Sequence, residues 1–306
     1  MTHEFELENT SPAEEPVWFF ITSIGRAASY WLAWSLSQHP DIVCSHGDHY
    51  IPRYIDVSRY QSFYDIPETE TGDTEGSEGK RISDILLSDY LDLHQQYGEA
   101  KVYGNVHGCI LSTLIQRIQS EKLQRKIVVA NLIRNPVDQI ISFDKRHRFD
   151  ASRSNDYLAM RMSRLQGHTD IVAKVQSKFD IDFENHNNLL FMSAVAETAI
   201  LQKDILNDRF IHVPSELITG SRQAFSSFFS IFQKYSDLTI EESYLDRVFA
   251  GGRMNYSTKE SVPSAQAFEA LQEWQQYAIR ICLSDDVVDR YVELGYDLSY
   301  FRTDKT

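Results

Sequence analysis

Three cysteines in 306 residues, Cys44, Cys109 and Cys282, lie far apart and in or beside apolar stretches. An odd, sparse set of this kind excludes a disulfide framework and a zinc-finger spacing, and it fits a reducing cytoplasm. Net positive charge is also missing. Thirty Lys and Arg against 44 Asp and Glu leave −14, which argues against general binding to nucleic acid or to an anionic membrane. No apolar run approaches the ~20 residues of a membrane span. The first fifteen residues, acidic and polar, lack the pattern of a signal peptide. Residues 1–16 therefore read as a disordered lead-in to a soluble, cytoplasmic protein. No Gly-Lys-Ser/Thr is present, nor a second acidic strand to hold magnesium, so a Walker-type ATP site is unsupported.

What is present centres on Val17 to Trp31, VWFFITSIGRAASYW. Val17-Trp18-Phe19-Phe20-Ile21 suits a strand buried on both faces. Small residues around a single positive charge follow, from Thr22 to Ser29, and then helical spacing through Trp31, Leu32, Trp34 and Leu36 as far as Pro40. Strand, small-residue loop and helix aim backbone N–H groups and the positive end of the helix at one point, where a phosphate or sulfate fits. The Arg26 fork lies where it can bind that oxyanion. An ordinary strand-to-helix turn has the same pattern.

Four more strand-like runs follow: 41–45, 101–106, 127–133 and 210–213. Helical patterns separate them, over 82–97, 110–121, from Pro136 onward, within 145–187 and over 189–206. Further helices are expected over 225–235 and, as one long element, over 265–283. Pro67 to Lys80 is acidic and poor in large apolar residues, as a mobile lid would be. Alternating strands and helices predict an α/β fold with a parallel sheet of about five strands and helices on both faces. No repeat and no linker divides it, so residues 17–306 are expected to form one domain. Ligands of such sheets bind beyond the carboxyl ends of the strands, which would bring Arg26, residues 46–50, His107 and Arg134 to one rim.

These residues carry a likeness. The chain resembles the sulfotransferases that use 3′-phosphoadenosine 5′-phosphosulfate (PAPS). GRAASYWLAWSLSQHPDIVCSHG is similar to the family's 5′-phosphosulfate loop with the helix and strand after it. LIRNPVDQIISF is similar to its 3′-phosphate segment, with Arg134 and Ser142 eight positions apart. KVYGNVHG ends at His107, where the family carries its catalytic base at a strand tip. Val213-Pro214-Ser215-Glu216-Leu217 and Leu294-Gly295-Tyr296 are weaker matches. Departures are Ala27-Ala28 for the loop's Ser-Gly pair, Arg26 for its usual Lys, and Asn105 for the Lys two positions before the histidine.

The resemblance implies a nucleotide-kinase-like sulfotransferase fold and transfer of a sulfuryl group to a hydroxyl or amine of a small molecule. It implies that Gly25, Arg26, Ala27, Ala28, Ser29 and Tyr30 hold the 5′-phosphosulfate, Arg26 also serving catalysis, with Trp31 near the adenine or packing its helix. Arg134 and Ser142 would hold the 3′-phosphate, and Arg253 would close over it. His107, whose imidazole titrates near neutrality, would be the general base. His46, Asp48 and His49 read as acceptor contacts or a second base rather than as metal ligands, since no distant ligand pairs with them at a known spacing. The run Lys145-Arg146-His147-Arg148 would attract an anion or form a solvated helix face. The net charge and the acidic lid favour a neutral or cationic acceptor, as in the tailoring of a secondary metabolite such as a guanidinium alkaloid. A small-molecule kinase and a non-catalytic nucleotide-binding protein are the alternatives.

Overall fold

The computed structural model describes residues 16–23, 25, 27–47, 82, 85–96, 98–107, 110–123, 125–152, 155–250 and 262–301. The chain divides into two compact units, one drawn from 1–133 and 209–256, the other from 134–208 and 257–306.

The first unit starts with β1 (Val17–Ser23), α1 (Ser29–Ser37), β2 (Ile42–His46), α2 (Leu87–Gln95), β3 (Val102–Val106), α3 (Leu111–Glu121) and β4 (Ile127–Ile133). The second then supplies α4 (Pro136–Ala151), α5 (Asn155–Gln166), α6 (Thr169–Lys178) and α7 (His186–Gln202), followed by a 3-10 turn over Lys203–Leu206. The chain returns with β5 (Ile211–Pro214), α8 (Ser215–Gly220), α9 (Arg222–Gln233) and α10 (Glu242–Ala250). It ends in the second unit with α11 (Ser264–Glu269), α12 (Glu273–Cys282), α13 (Asp285–Glu293) and a 3-10 turn over Ser299–Phe301.

All five strands are parallel, in the order β2-β3-β1-β4-β5. The five expected strands are the five observed, to within a few residues at their ends. β1 is central and every residue of it is buried. Its alternation sorts the two faces, as the two-residue period of a strand demands. Val17, Phe19 and Ile21 join Trp31, Leu32 and Leu36 of α1 and the Phe225, Phe228, Phe229 and Phe232 stripe of α9. Trp18 and Phe20 join Leu87, Tyr90 and Leu91 of α2 and Leu114 and Ile118 of α3. Each such large apolar side chain contributes roughly 1.5–3 kcal/mol by leaving water, so both faces must be covered.

Two helices differ from expectation. α2 begins at Leu87 rather than near Ile82 because its cap comes from elsewhere. The Leu87 and Ser88 N–H groups donate to Glu121 Oε2 at 2.5 and 3.3 Å. Arg117 holds that carboxylate (Nη2 to Oε1, 3.0 Å) and also donates to the Ile82 carbonyl (2.7 Å). The long helix expected over 265–283 is two helices. Gln272 and Gln275 form a capping box that starts α12 afresh, with the Gln272 N–H donating to Gln275 Oε1 at 3.0 Å. Helices α8, α10 and α13 were not expected.

In the second unit α7 is the apolar element, with Leu190, Phe191, Met192, Ala194, Val195 and Ala196 buried and Phe191 edge-on to Trp274 at 5.4 Å. The basic run of α4 is largely paired. Arg146 donates to Asp150 (2.8 Å), Arg148 to both oxygens of Asp144 (2.9 Å each), and buried His147 lies 3.3 Å from Glu197. Among the described residues no helix is long and apolar enough to cross a membrane.

Gly104 of β3 faces Phe19, where a Cβ would lie 2.3 Å from the Phe19 carbonyl oxygen and 2.4 Å from its ring. Neither strand can yield, since both are paired on each side. Gly104→Ala is expected to cost about 3 kcal/mol, read as a lower urea midpoint with an unchanged slope.

Candidate active site

The order β2-β3-β1-β4-β5 sends the chain from β1 through α1 to one face and from β3 through α3 to the other. A crevice opens between the carboxyl ends of adjacent strands whose connections leave on opposite faces. Gly25, Ala27 and Ala28 lie between β1 and α1 at this place, and His107 follows β3 directly. The His107 N–H donates to the Ile21 carbonyl at 2.8 Å, which extends the β1–β3 pairing by one residue.

The backbone here is strained. Ala28, which caps α1, has φ +58° and ψ +26°, and His107 has φ +70°. A left-handed non-glycine residue costs about 1 kcal/mol or more, and such residues gather where geometry serves function. Lys122, the remaining described case at φ +49°, merely terminates α3. Ala27 is fully buried in the core beside α1 and Ala28 packs against the same cluster, so their methyl groups tie the loop down. Ala28 gives α1 no side-chain cap, and no acidic residue occupies its first turn. The electropositive start of that helix is thus left to backbone N–H groups.

Four side chains meet at this rim. Ser29 Oγ and His46 Nε2 are 3.2 Å apart, at hydrogen-bonding distance. The His46 and His107 rings stack, with centroids 5.7 Å apart and planes 16° from parallel. The Tyr30 ring meets His46 edge-on at 5.3 Å and 76°. Strand parity explains half of this. Ile42 and Cys44 pack on the α1 side, so His46 points there too. His107 would face the other side in an extended strand; its left-handed backbone takes it out of the pleat, and its ring reaches His46.

Beneath the rim lies a buried polar cluster that sequence reasoning missed. Asn105 Nδ2, with two hydrogens to donate, lies within hydrogen-bonding distance of Ser45 Oγ (2.8 Å), Tyr90 Oη (2.9 Å) and the Gly47 carbonyl (3.1 Å). Ser45 Oγ is also 3.1 Å from Tyr90 Oη and 3.2 Å from His94 Nε2. The cluster ties the ends of β2 and β3 to α2, and with Gly47 N–H donating to the Val106 carbonyl at 3.0 Å it fixes the backbone on both sides of His46. Buried networks of this kind rigidify when their groups are paired. Tyr90 and His94 at a four-residue spacing were visible as a pattern; that Ser45 lies opposite Asn105, on the same face of the sheet, was not.

The expected site residues divide as follows. Ser29, Tyr30, His46 and His107 come together in the first unit. Gly25 has φ +85°, and its N–H donates to Ser23 Oγ at 3.0 Å. Trp31 is buried against Phe225 (5.7 Å) and Phe249 (6.0 Å), so packing is the role the structure shows for it. In the second unit, half-buried Arg134 directly precedes Asn135, whose side chain accepts from the Val137 N–H at 3.0 Å and caps α4, with Pro136 in the first turn. Half-buried Ser142 lies two turns along that helix. Arg26, Asp48, His49, Arg253, Cys109 and the acidic stretch 67–80 lie outside the described residues. Among the described residues no cluster of three or more His, Cys, Asp or Glu could hold a metal ion. Burial pushes the Cys44 thiol far up and that of Cys282 up to about 12, so neither is a thiolate near neutral pH.

No protein-family model and no curated protein matches the chain. Similar solved structures exist. One is a sulfotransferase from Alicyclobacillus acidocaldarius (18% identity, TM-score 0.45, covering 94% of this chain and 99% of that one). Another is the sulfotransferase domain of the Synechococcus PCC 7002 olefin synthase (17%, 0.42, 97% and 99%). A third is a mouse sulfotransferase complexed with PAP (10%, 0.41, 93% and 87%). Each of the three is a sulfotransferase. At this identity and this degree of superposition the likeness carries no argument about activity, ligand or partner.

His94 supplies a test of the cluster. Burial lowers its pKa to about 3, so the folded chain refuses a proton that the unfolded chain accepts below about 6.5. Stability attributable to this imidazole is full above that value and falls as pH drops, by about 1.4 kcal/mol per unit. Between pH 7 and pH 5 the wild-type chain is expected to lose about 2 kcal/mol more than His94→Gln, measured by urea unfolding.

Proposed function

We propose that residues 17–306 form a PAPS-dependent sulfotransferase acting on a hydroxyl or amine of a small molecule. The observation that carries this reading is the placing of His107, a candidate proton acceptor, at the end of the strand next to β1, whose own loop and helix start form an uncapped, electropositive turn. A transferred sulfuryl group needs an anion cradle on one side and a base for the incoming nucleophile on the other. The resemblance in sequence supplies the rest of the assignment. The N–H groups of residues 26–30, with Arg26 and Ser29, would hold the 5′-phosphosulfate, and Arg134, Ser142 and Arg253 the 3′-phosphate.

In this scheme the acceptor oxygen or nitrogen attacks sulfur, the S–O bond to the 5′-phosphate breaks, and His107 takes the acceptor's proton. The leaving phosphate keeps the bonding electron pair. Helix-start N–H groups and the Arg26 charge stabilise it, an arrangement in which loss of one donor typically costs about 3–4 kcal/mol of barrier. Lacking a proton to give near neutral pH, Arg26 would act by charge alone. Cys44 and Cys282 take no part. A net charge of −14 favours a neutral or cationic acceptor over an acidic polysaccharide.

Thermal unfolding with 3′-phosphoadenosine 5′-phosphate tests binding. At a hundredfold excess over Kd the midpoint is expected to rise by roughly 5 °C, while ATP with Mg²⁺ leaves it unmoved; the reverse ranking would favour a kinase. Transfer of labelled sulfate from PAPS to a panel of amines and alcohols tests catalysis. His107→Ala is expected to lower kcat by about 10²–10⁴-fold while the nucleotide still binds. Binding without transfer in the wild-type chain would identify a nucleotide-binding protein instead.

A further inference from the structure

We propose that His46 is a positioning residue of this site: its Nε2–H donates to Ser29 Oγ and so turns the serine's own proton toward an oxyanion seated over the start of α1. The inference rests on the sulfuryl-transfer reading above and adds a residue to it. A serine hydroxyl has one proton to donate and lone pairs to accept with. If Nε2 were bare, the single proton of Ser29 would be spent on the imidazole at 3.2 Å, and only lone pairs would face an anion. With the proton on Nε2 the polarity reverses, and Ser29 becomes a donor to the anion in the first turn of an electropositive helix start.

The surroundings of His46 suit a fixed ring rather than a mobile surface histidine. Its ring is held on one side by the stacked His107 at the end of β3 and on another by the edge of Tyr30 on α1. The backbone just beyond it is pinned twice at Gly47, by the N–H donating to the Val106 carbonyl and by Asn105 donating to the Gly47 carbonyl. Gly47 itself has φ +94°, a turn that a glycine makes without strain. One ring thus links the anion cradle to the proton acceptor: its nitrogen sets the polarity of Ser29, and its face limits the rotation of His107.

Two measurements on the full chain test this. Long-range ¹H–¹⁵N spectra of the imidazole nitrogens, with His46→Gln to assign the signal, are expected to show a proton on Nε2 of His46 at pH 7.5, displaced by Ser29→Ala. A bare Nε2 with the proton on Nδ1 overturns the inference, whether or not a nucleotide binds. Dissociation constants for 3′-phosphoadenosine 5′-phosphate form the second measurement. His46→Gln, whose amide keeps a donor near the Nε2 position, is expected to bind within about threefold of the wild type, and His46→Leu about tenfold more weakly. Ser29→Ala is expected to weaken binding to a similar degree, and the Leu/Ala double variant no further. A leucine variant that binds like the wild type, or losses that simply add, would refute it. Should the wild-type chain bind none of the nucleotide, the transfer reading fails, and the nitrogen spectra still decide the polarity of the Ser29–His46 pair.

Discussion

The burial of β1 on both faces is the constraint on which the sheet unit depends. Five consecutive large apolar residues, Val17 to Ile21, cannot face water on either side without a cost of several kcal/mol. That demand places β1 at the centre of the sheet, draws α1 and α9 to one face and α2 and α3 to the other, and leaves the strand's carboxyl end as the point where the connections part. The crevice is a consequence of covering both faces.

What fills the crevice follows from a second constraint, the two-residue period of the strands next to β1. Parity alone puts His46 on the side of α1, and Ser45 and Asn105 on the side of α2. His107 escapes parity through its left-handed backbone, and Ala28 enters α1 through another. The two strained residues and the two stacked histidines occupy the same rim, while the hydrogen-bonded cluster below holds the strand ends that carry them. Rigid support beneath and strain above is the arrangement expected of a site that positions groups before a ligand arrives.

Sequence reasoning read the strands well because their signals are local. Each of the five is a short run of β-branched or aromatic residues bounded by small or polar ones, and each was found. The parallel arrangement followed from alternation with helices. Helix boundaries fared worse where the cap is remote. The start of α2 depends on Glu121, more than thirty residues away, and the break between α11 and α12 on an exchange between Gln272 and Gln275 that a smooth helical period conceals. At the rim, Ser29, Tyr30, His46 and His107 were all singled out, and residues 46–50 and His107 were expected on one rim, but the contacts of these four with one another were not foreseen. The Gly25 N–H donates to Ser23, and of the two roles open to Trp31 the contacts show packing against the core.

The number and direction of the strands, the small residues after β1 and the residue types able to meet an oxyanion could be read along the chain, because these depend on period and side-chain chemistry over a few neighbouring positions. Which of them touch follows from the fold. The stacking of His46 on His107, the reach of Ser29 to His46 and the cluster of Ser45, Tyr90, His94 and Asn105 join residues 15 to 61 positions apart. Their meeting depends on strand order and register, and those are set by which faces of the whole unit must be buried, a property no short stretch of chain contains.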